Sequence, residues 1–136
     1  MIGCIGMIIN YSKMLLNLSN HPSVKWSKEQ AQLAQLQFGE VLDMPFPNIS
    51  PSQNTVGVVA FAAQYCQEIL DLKKQYPHLT VHLMGELSFC FALVKMLQKE
   101  GITVVCSTTE RTLIEEKDGL KTALFRFHQF RNYAIL

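Results

Sequence analysis

Short apolar runs alternate with longer amphipathic ones along the first hundred residues, which predicts a repeating strand–helix order. Leu15–Leu18 is brief and apolar and ends in Ser19-Asn20-His21-Pro22-Ser23. Pro22 drives the residue before it out of the helical region, so a strand entering a polar loop is expected. Ser27-Lys28-Glu29-Gln30 reads as a capping box, with Ser27 as N-cap and Gln30 as its reciprocal partner. The helix it opens runs to about Phe38, with Ala31, Ala34 and Phe38 on one stripe and Leu33 and Leu36 beside it. Gly39 ends it as a C′ residue. Val41–Phe46 predicts a second strand, closed by Pro45 and Pro47, and Asn48–Asn54 a polar loop. From Thr55 to about Tyr76, Val58, Ala62, Tyr65, Ile69 and Leu72 recur at helical spacing until Pro77 stops the helix. Leu79–Met84 is a third strand. Gly85-Glu86 turns into a helix from about Ser88 to Lys99, its stripe Phe91, Val94 and Leu97, capped by Gly101. Ile102–Cys106 is β-branched and apolar on both faces, as a buried parallel strand is.

Beyond Cys106 the period changes. Ser107–Arg111 reads as a polar loop. Arg111–Lys117 and Leu120–Tyr133 then alternate with period two around Asp118-Gly119, a strong hairpin signal. Strict alternation puts Ala123, Phe125 and Phe127 on one face, and Leu124, Arg126, His128 and Phe130 on the other. The order is β-α-β-α-β-α-β-β-β. It predicts an α/β, Rossmann-like three-layer domain: a mostly parallel sheet, right-handed crossovers, helices on both faces and a C-terminal antiparallel β-hairpin over 111–133.

Composition narrows the class. The 136 residues suit a single domain, and 49% are hydrophobic against 17% charged, which excludes a disordered chain. Twelve basic residues against 11 acidic ones leave a net charge of +1. That disfavours a basic face for long nucleic acid and leaves room for a local pocket. Cys4, Cys66, Cys90 and Cys106 form no CxxC pair and lie in apolar runs, so buried reduced thiols and a cytoplasmic location are expected. No apolar run approaches the ~18 residues of a membrane span. Met1–Asn10 is apolar but lacks the basic start and small-residue cleavage site of a signal peptide. With Met14 directly before the first strand, Met1–Lys13 reads as an extension from an upstream start codon, or as an extra edge strand.

Ligands of open α/β sheets bind beyond the carboxyl ends of the strands, where strand order reverses. That rule selects Asn17–Ser23, Pro45–Asn54, Gly85–Ser88 and Ser107–Arg111. Ser107, Thr108, Thr109 and Arg111 offer three hydroxyls and a guanidinium to a phosphate. Ser19, Asn20 and Ser23 are turn formers that also donate hydrogen bonds, and His21 has the pKa range of a general acid or base. Gly85 allows close approach to the backbone, and Glu86 either binds ribose hydroxyls or complements a helix dipole. There is no GxGxxG after strand one, no GxxxxGK[ST] and no GxSxG. His78 and His82 are four apart in a strand pattern, which argues against a helical metal pair. Trp26, before the capping box, reads as a hydrophobic staple. Lys73-Lys74 reads as a solvated helix face.

Leu16-Asn17-Leu18-Ser19-Asn20-His21-Pro22-Ser23, followed by Trp26-Ser27-Lys28-Glu29-Gln30, resembles the opening of small CRISPR-associated Rossmann-fold (CARF-like) proteins. Met84-Gly85-Glu86 and Ser107-Thr108-Thr109-Glu110-Arg111 occupy the strand ends where that group places ligand loops. The resemblance implies a homodimer that binds a cyclic oligoadenylate second messenger across its two-fold axis. Some members are ring nucleases, cleaving the messenger without metal or cofactor through attack of a ribose 2′-hydroxyl on the adjacent phosphorus. Carried over, His21 and Arg111 are the candidate catalytic residues. Ser19, Asn20, Ser23, Gly85, Glu86, Ser107, Thr108 and Thr109 are the candidate ligand-binding residues. Two alternatives stand beside this reading. One is a non-catalytic binding or assembly module with Phe125, Phe127 and Phe130 at its interface. The other is a different nucleotide-handling enzyme acting on a mononucleotide or nucleoside sugar.

Overall fold

The computed structural model describes residues 13–136. The reading of an N-terminal extension therefore lies outside the described residues, apart from Lys13, which opens the first strand. The chain forms β1 (Lys13–Ser19), a 3-10 turn (Ser23–Lys25), α1 (Lys28–Phe38), β2 (Glu40–Pro45), α2 (Thr55–Gln75), β3 (His78–Met84), α3 (Leu87–Lys99), β4 (Thr103–Glu115) and β5 (Lys121–Asn132). The strands make one five-stranded sheet in the order β2-β1-β3-β4-β5. β1 to β4 are parallel and β5 is antiparallel to β4. The fold is α/β with a mostly parallel sheet and a C-terminal hairpin.

Each face of the sheet carries its own core. On one side α2 and α3 cover Leu16, Leu18, Val81, Leu83 and Val104 with Val58, Ala62, Ile69, Phe89, Leu93 and Leu97. On the other, α1 covers Leu15 and Val105 with Ala34, joined by Trp26, Phe38 and Phe130. β1 alternates between the two cores and is buried along almost its whole length, as expected of a strand covered on both faces. Among the described residues the cysteines are free thiols: Cys66 and Cys90 are buried and Cys106 is half-buried. Burial pushes the Cys90 thiol up to about 12. Among the described residues no helix is long and apolar enough to cross a membrane.

The caps are local and follow the pattern. The Ser27 hydroxyl accepts the Gln30 N–H at 3.1 Å. Gly39 takes φ +91°, which L side chains rarely adopt. The reciprocal half of the box differs from expectation: the Gln30 side chain is buried and lines the cleft described below.

Four sequence expectations are corrected. Ser107–Arg111 is not a loop. β4 runs unbroken through it, because every residue from Ser107 to Arg111 has a partner in β5. Polar β-branched residues here mark an exposed strand pair rather than a break. Phe127 and Phe130 do not face opposite ways. His128 is an extra residue between the pairs Thr108–Gln129 and Thr109–Phe127. This bulge resets the alternation, so Phe125, Phe127 and Phe130 share one face, with the Phe127 and Phe130 rings 5.0 Å apart. Finally, Phe91 is exposed rather than on the buried stripe of α3, which consists of Phe89, Cys90, Leu93, Val94 and Leu97. On α1, likewise, Ala31 and Leu36 are exposed.

Candidate functional site

β1 and β3 are neighbours, but the chain leaves β1 toward β2 on one side and returns to β3 on the other. The reversal point therefore lies between Ser19 and Met84, the carboxyl ends of β1 and β3, where open α/β sheets bind ligands. An open cleft of about 630 Å³ occupies that place. Its lining comes from the loop after β1 (Ser19, Asn20, His21), the segment leading into α1 (Lys25, Trp26, Ser27) with Gln30 of α1, the end of β3 (His82, Met84, Gly85), and the hairpin (Ser107, Thr109, Phe125, Phe127). Among the described residues Lys25 is the fixed cation of its lining, which holds no carboxylate.

Beneath the loop runs a row of polar side chains across the sheet. Asn17 on β1 is in register with Asp43 on β2 and with His82 on β3. The Asn17 amide donates to Asp43 Oδ1 at 2.8 Å and to the His21 carbonyl at 3.0 Å. Its Oδ1 lies 2.8 Å from both Ser19 Oγ and His82 Nδ1. Asp43 in turn accepts from the Ser23 hydroxyl at 2.6 Å and the Ser23 N–H at 3.0 Å. Partial burial pushes the Asp43 carboxyl up, but the bonds from Ser23 and Asn17 outweigh it and hold the group below its usual range. Trp26 Nε1–H donates to the His21 carbonyl at 2.9 Å. The Ser19–Trp26 loop is thus pinned at the His21 backbone, while the His21 side chain is left at the surface of the cleft.

Trp26 is not the staple expected from sequence. Its ring is buried against His82 at 5.4 Å and Phe130 at 6.1 Å, while Ala31, the helical position a staple would meet, is exposed. The burial of His82 lowers its pKa to about 4, assisted by the charge of nearby His21. The sign of the pH effect follows. Between about pH 6.5 and 4 the unfolded chain binds a proton at this ring that the folded chain refuses, so stability is complete above the upper value and falls below it. The expected loss is about 3 kcal/mol over that window. Urea unfolding at pH 7.0 and 4.5 checks it: the wild type should lose stability there, and His82→Phe should lose measurably less.

The candidate residues separate into two groups. Ser19, Asn20, His21, Gly85, Ser107 and Thr109 are brought together in the cleft lining. Ser107 donates to the Met84 sulfur from both its N–H and its hydroxyl. A Cβ at Gly85 would run into the Phe46 ring, so packing against Phe46 favours this glycine. Ser23 is bonded to Asp43 outside the lining. Thr108 is on the opposite face of β4, where its hydroxyl bonds to the Gln129 backbone. Glu86 is the N-cap of α3, accepting from the Ser88 N–H, the Ser88 hydroxyl and the Phe89 N–H. The Ser88 bonds hold its carboxyl below the usual range. Arg111 lies two residues beyond Thr109 on β4, with its guanidinium 6.0 Å from the centroid of Phe125, a cleft residue.

Asn17 was placed only at the start of the candidate loop Asn17–Ser23, with no role of its own; Asp43 was missed, and His82 was considered only as a metal ligand. Their signal was a polar residue flanked on both sides by apolar ones: Asn17 between Leu16 and Leu18, Asp43 between Leu42 and Met44, and His82 between Val81 and Leu83. A buried polar group needs a partner: Asn17 and His82 are buried and bond to each other, and Asn17 also bonds to the exposed Asp43.

No curated protein matches the chain. Among solved structures it is similar to Can2 from Sulfobacillus thermosulfidooxidans, determined in complex with cyclic tetra-adenylate, at 15% identity and a TM-score of 0.37. The similarity covers 86% of this chain and 38% of that one, so the chain spans well under half of Can2. A family model matches residues 13–131, and the chain belongs to the uncharacterized protein MJ1673 family.

Proposed function

We propose that the chain binds a nucleotide in the cleft at the ends of β1 and β3, and that this nucleotide is a cyclic oligoadenylate. The observation that carries nucleotide binding is the composition of the cleft. Hydroxyls and an amide (Ser19, Asn20, Ser107, Thr109) stand beside Lys25 and against the aromatic rings of Trp26, Phe125 and Phe127, with no carboxylate among the described residues of the lining. Phosphate oxygens need the first set and bases need the second. The cyclic oligoadenylate class rests on the resemblance of Leu16–Gln30 to CARF-like openings.

Two copies belong to this reading. The hairpin leaves Leu113, Ile114, Leu120, Leu124 and Phe125 exposed, which favours association through that arm, and an isologous pair suits a ligand with repeated halves. Sedimentation of the purified protein at twice 15.4 kDa is expected; a monomer with and without ligand removes the dimer.

The test of the ligand is calorimetry with cyclic tetra- and hexa-adenylate. Binding of one ring is expected, weakened about tenfold or more in Lys25→Glu, which sets a carboxylate against phosphate. Arg111→Ala should weaken it less, because Arg111 acts through Phe125. If neither ring binds, the proposal fails. Liquid chromatography and mass spectrometry of the same samples in EDTA read cleavage. Linear products ending in a 2′,3′-cyclic phosphate would give His21 and Arg111 a chemical role to test by substitution. Intact rings would leave binding alone.

A further inference from the structure

His82 is buried at the floor of the cleft, 1% exposed. Its tautomer follows from the network around it. The Asn17 Nδ2 end is occupied by two acceptors, the His21 carbonyl and Asp43 Oδ1, so the Asn17 oxygen faces His82 Nδ1. An amide oxygen only accepts, so Nδ1 carries the proton and donates. Nε2 is then a bare acceptor. Among the described residues it is the buried side-chain nitrogen or oxygen with no hydrogen-bond partner. The low pKa caused by burial keeps the ring neutral, so Nε2 does not become a donor near neutral pH.

An acceptor left without a partner at the floor of a cleft rewards a ligand that brings a donor to it as it enters. The surroundings are aromatic: Trp26 and Phe130 stand edge-on to the His82 ring at 5.4 and 5.6 Å, Phe127 lies beside Phe130, and Trp26, Phe125 and Phe127 also line the cleft. Such walls suit a planar heterocycle presenting an N–H at its edge better than a sugar hydroxyl. We propose that His82 is the base-reading residue of the cleft, its Nε2 accepting a hydrogen bond from the exocyclic amino group of an adenine. This rests on the nucleotide-binding reading above and adds to it a residue that determines specificity. A 6-oxo purine would set lone pair against lone pair at the same atom.

The experiment compares cyclic tetra-adenylate, its inosine counterpart and its 2′-deoxy counterpart on the wild-type protein and on His82→Phe. Phenylalanine keeps an aromatic ring in the slot, and the Asn17 oxygen keeps its bond from Ser19. The wild type should prefer adenine to inosine about tenfold or more, and His82→Phe should lose most of that preference. Nitrogen-15 spectra of the wild type give an answer independent of the variant's folding: the unprotonated Nε2 resonance should move upfield when the adenine ring binds. Binding of the adenine ring with equal affinity for the inosine ring, or with an Nε2 resonance that stays in place, overturns the role of His82 while leaving nucleotide binding intact. A discrimination that instead follows the 2′-hydroxyl overturns base reading as well. If none of the rings binds the wild type, it is the functional reading itself that fails.

Discussion

Replacing Asn17 by alanine should destabilise the protein by about 3 kcal/mol, since several buried polar groups lose partners at once. The Asn17 side chain is 2% exposed and uses its full hydrogen-bonding capacity: two donors to the His21 carbonyl and Asp43, and two lone pairs toward Ser19 and His82. Alanine removes all four bonds. Ser19 can turn its hydroxyl to the His21 carbonyl at 3.1 Å, but His82 Nδ1 has no substitute. Asp43 retains its Ser23 bonds, so the cost falls on the middle of the row. Asn17→Asp should be worse, because it replaces the donor to Asp43 with a second carboxylate. Urea unfolding at pH 7 reads both, and the alanine variant's melting temperature should fall by roughly 10 °C. A loss below about 1 kcal/mol would mean that the row is not a connected network. Because the same side chain pins the His21 carbonyl, ligand binding should weaken in whatever fraction of the variant stays folded.

The order of strands and helices was legible because its signals are local. Ser27, Gly39, Gly101 and the Asp118-Gly119 turn each act on neighbours within a few residues, and Gly39, Gly101 and Gly119 all adopt the positive φ their positions call for. The polar row was not legible in the same way. Asn17, Asp43 and His82 are 26 and 65 residues apart along the chain, and only strand order and register bring them into line. The bulge at His128 is equally a property of pairing. Period two read along β5 alone cannot show where an extra residue is inserted, so Phe130 fell on the wrong face. Ser107–Arg111 looked like a loop because polarity was read as exposure to a ligand. Its residues are instead the middle of a long hairpin strand, and of those named as candidates only Ser107 and Thr109 line the cleft.

Phe89→Ala should be the most destabilising single substitution considered, at about 4 kcal/mol, while Phe91→Ala should cost less than about 1 kcal/mol. The contrast tests the structure against the periodicity, which put Phe91 inside and gave Phe89 no place. α3 is apolar around much of its first two turns, with Leu87, Phe89, Cys90, Phe91 and Ala92 in near succession, so spacing does not choose the buried face. Packing against α2 does. Phe89 is 0% exposed and meets Phe46, Tyr65 and Phe61 at 5.4, 5.4 and 5.8 Å, the first two edge-on, whereas Phe91 is 72% exposed. Truncating Phe89 removes a large buried ring and leaves a cavity that a helix fixed at both ends closes only in part. Phe46 then loses the ring that holds it against Gly85, and Gly85 is part of the cleft. The loss should therefore reach the site: in the folded fraction of Phe89→Ala, affinity for the ring should fall, while Phe91→Ala should bind as the wild type does. Chemical unfolding of the two variants side by side decides the packing claim, and equal losses would return α3 to the orientation its sequence spacing implied.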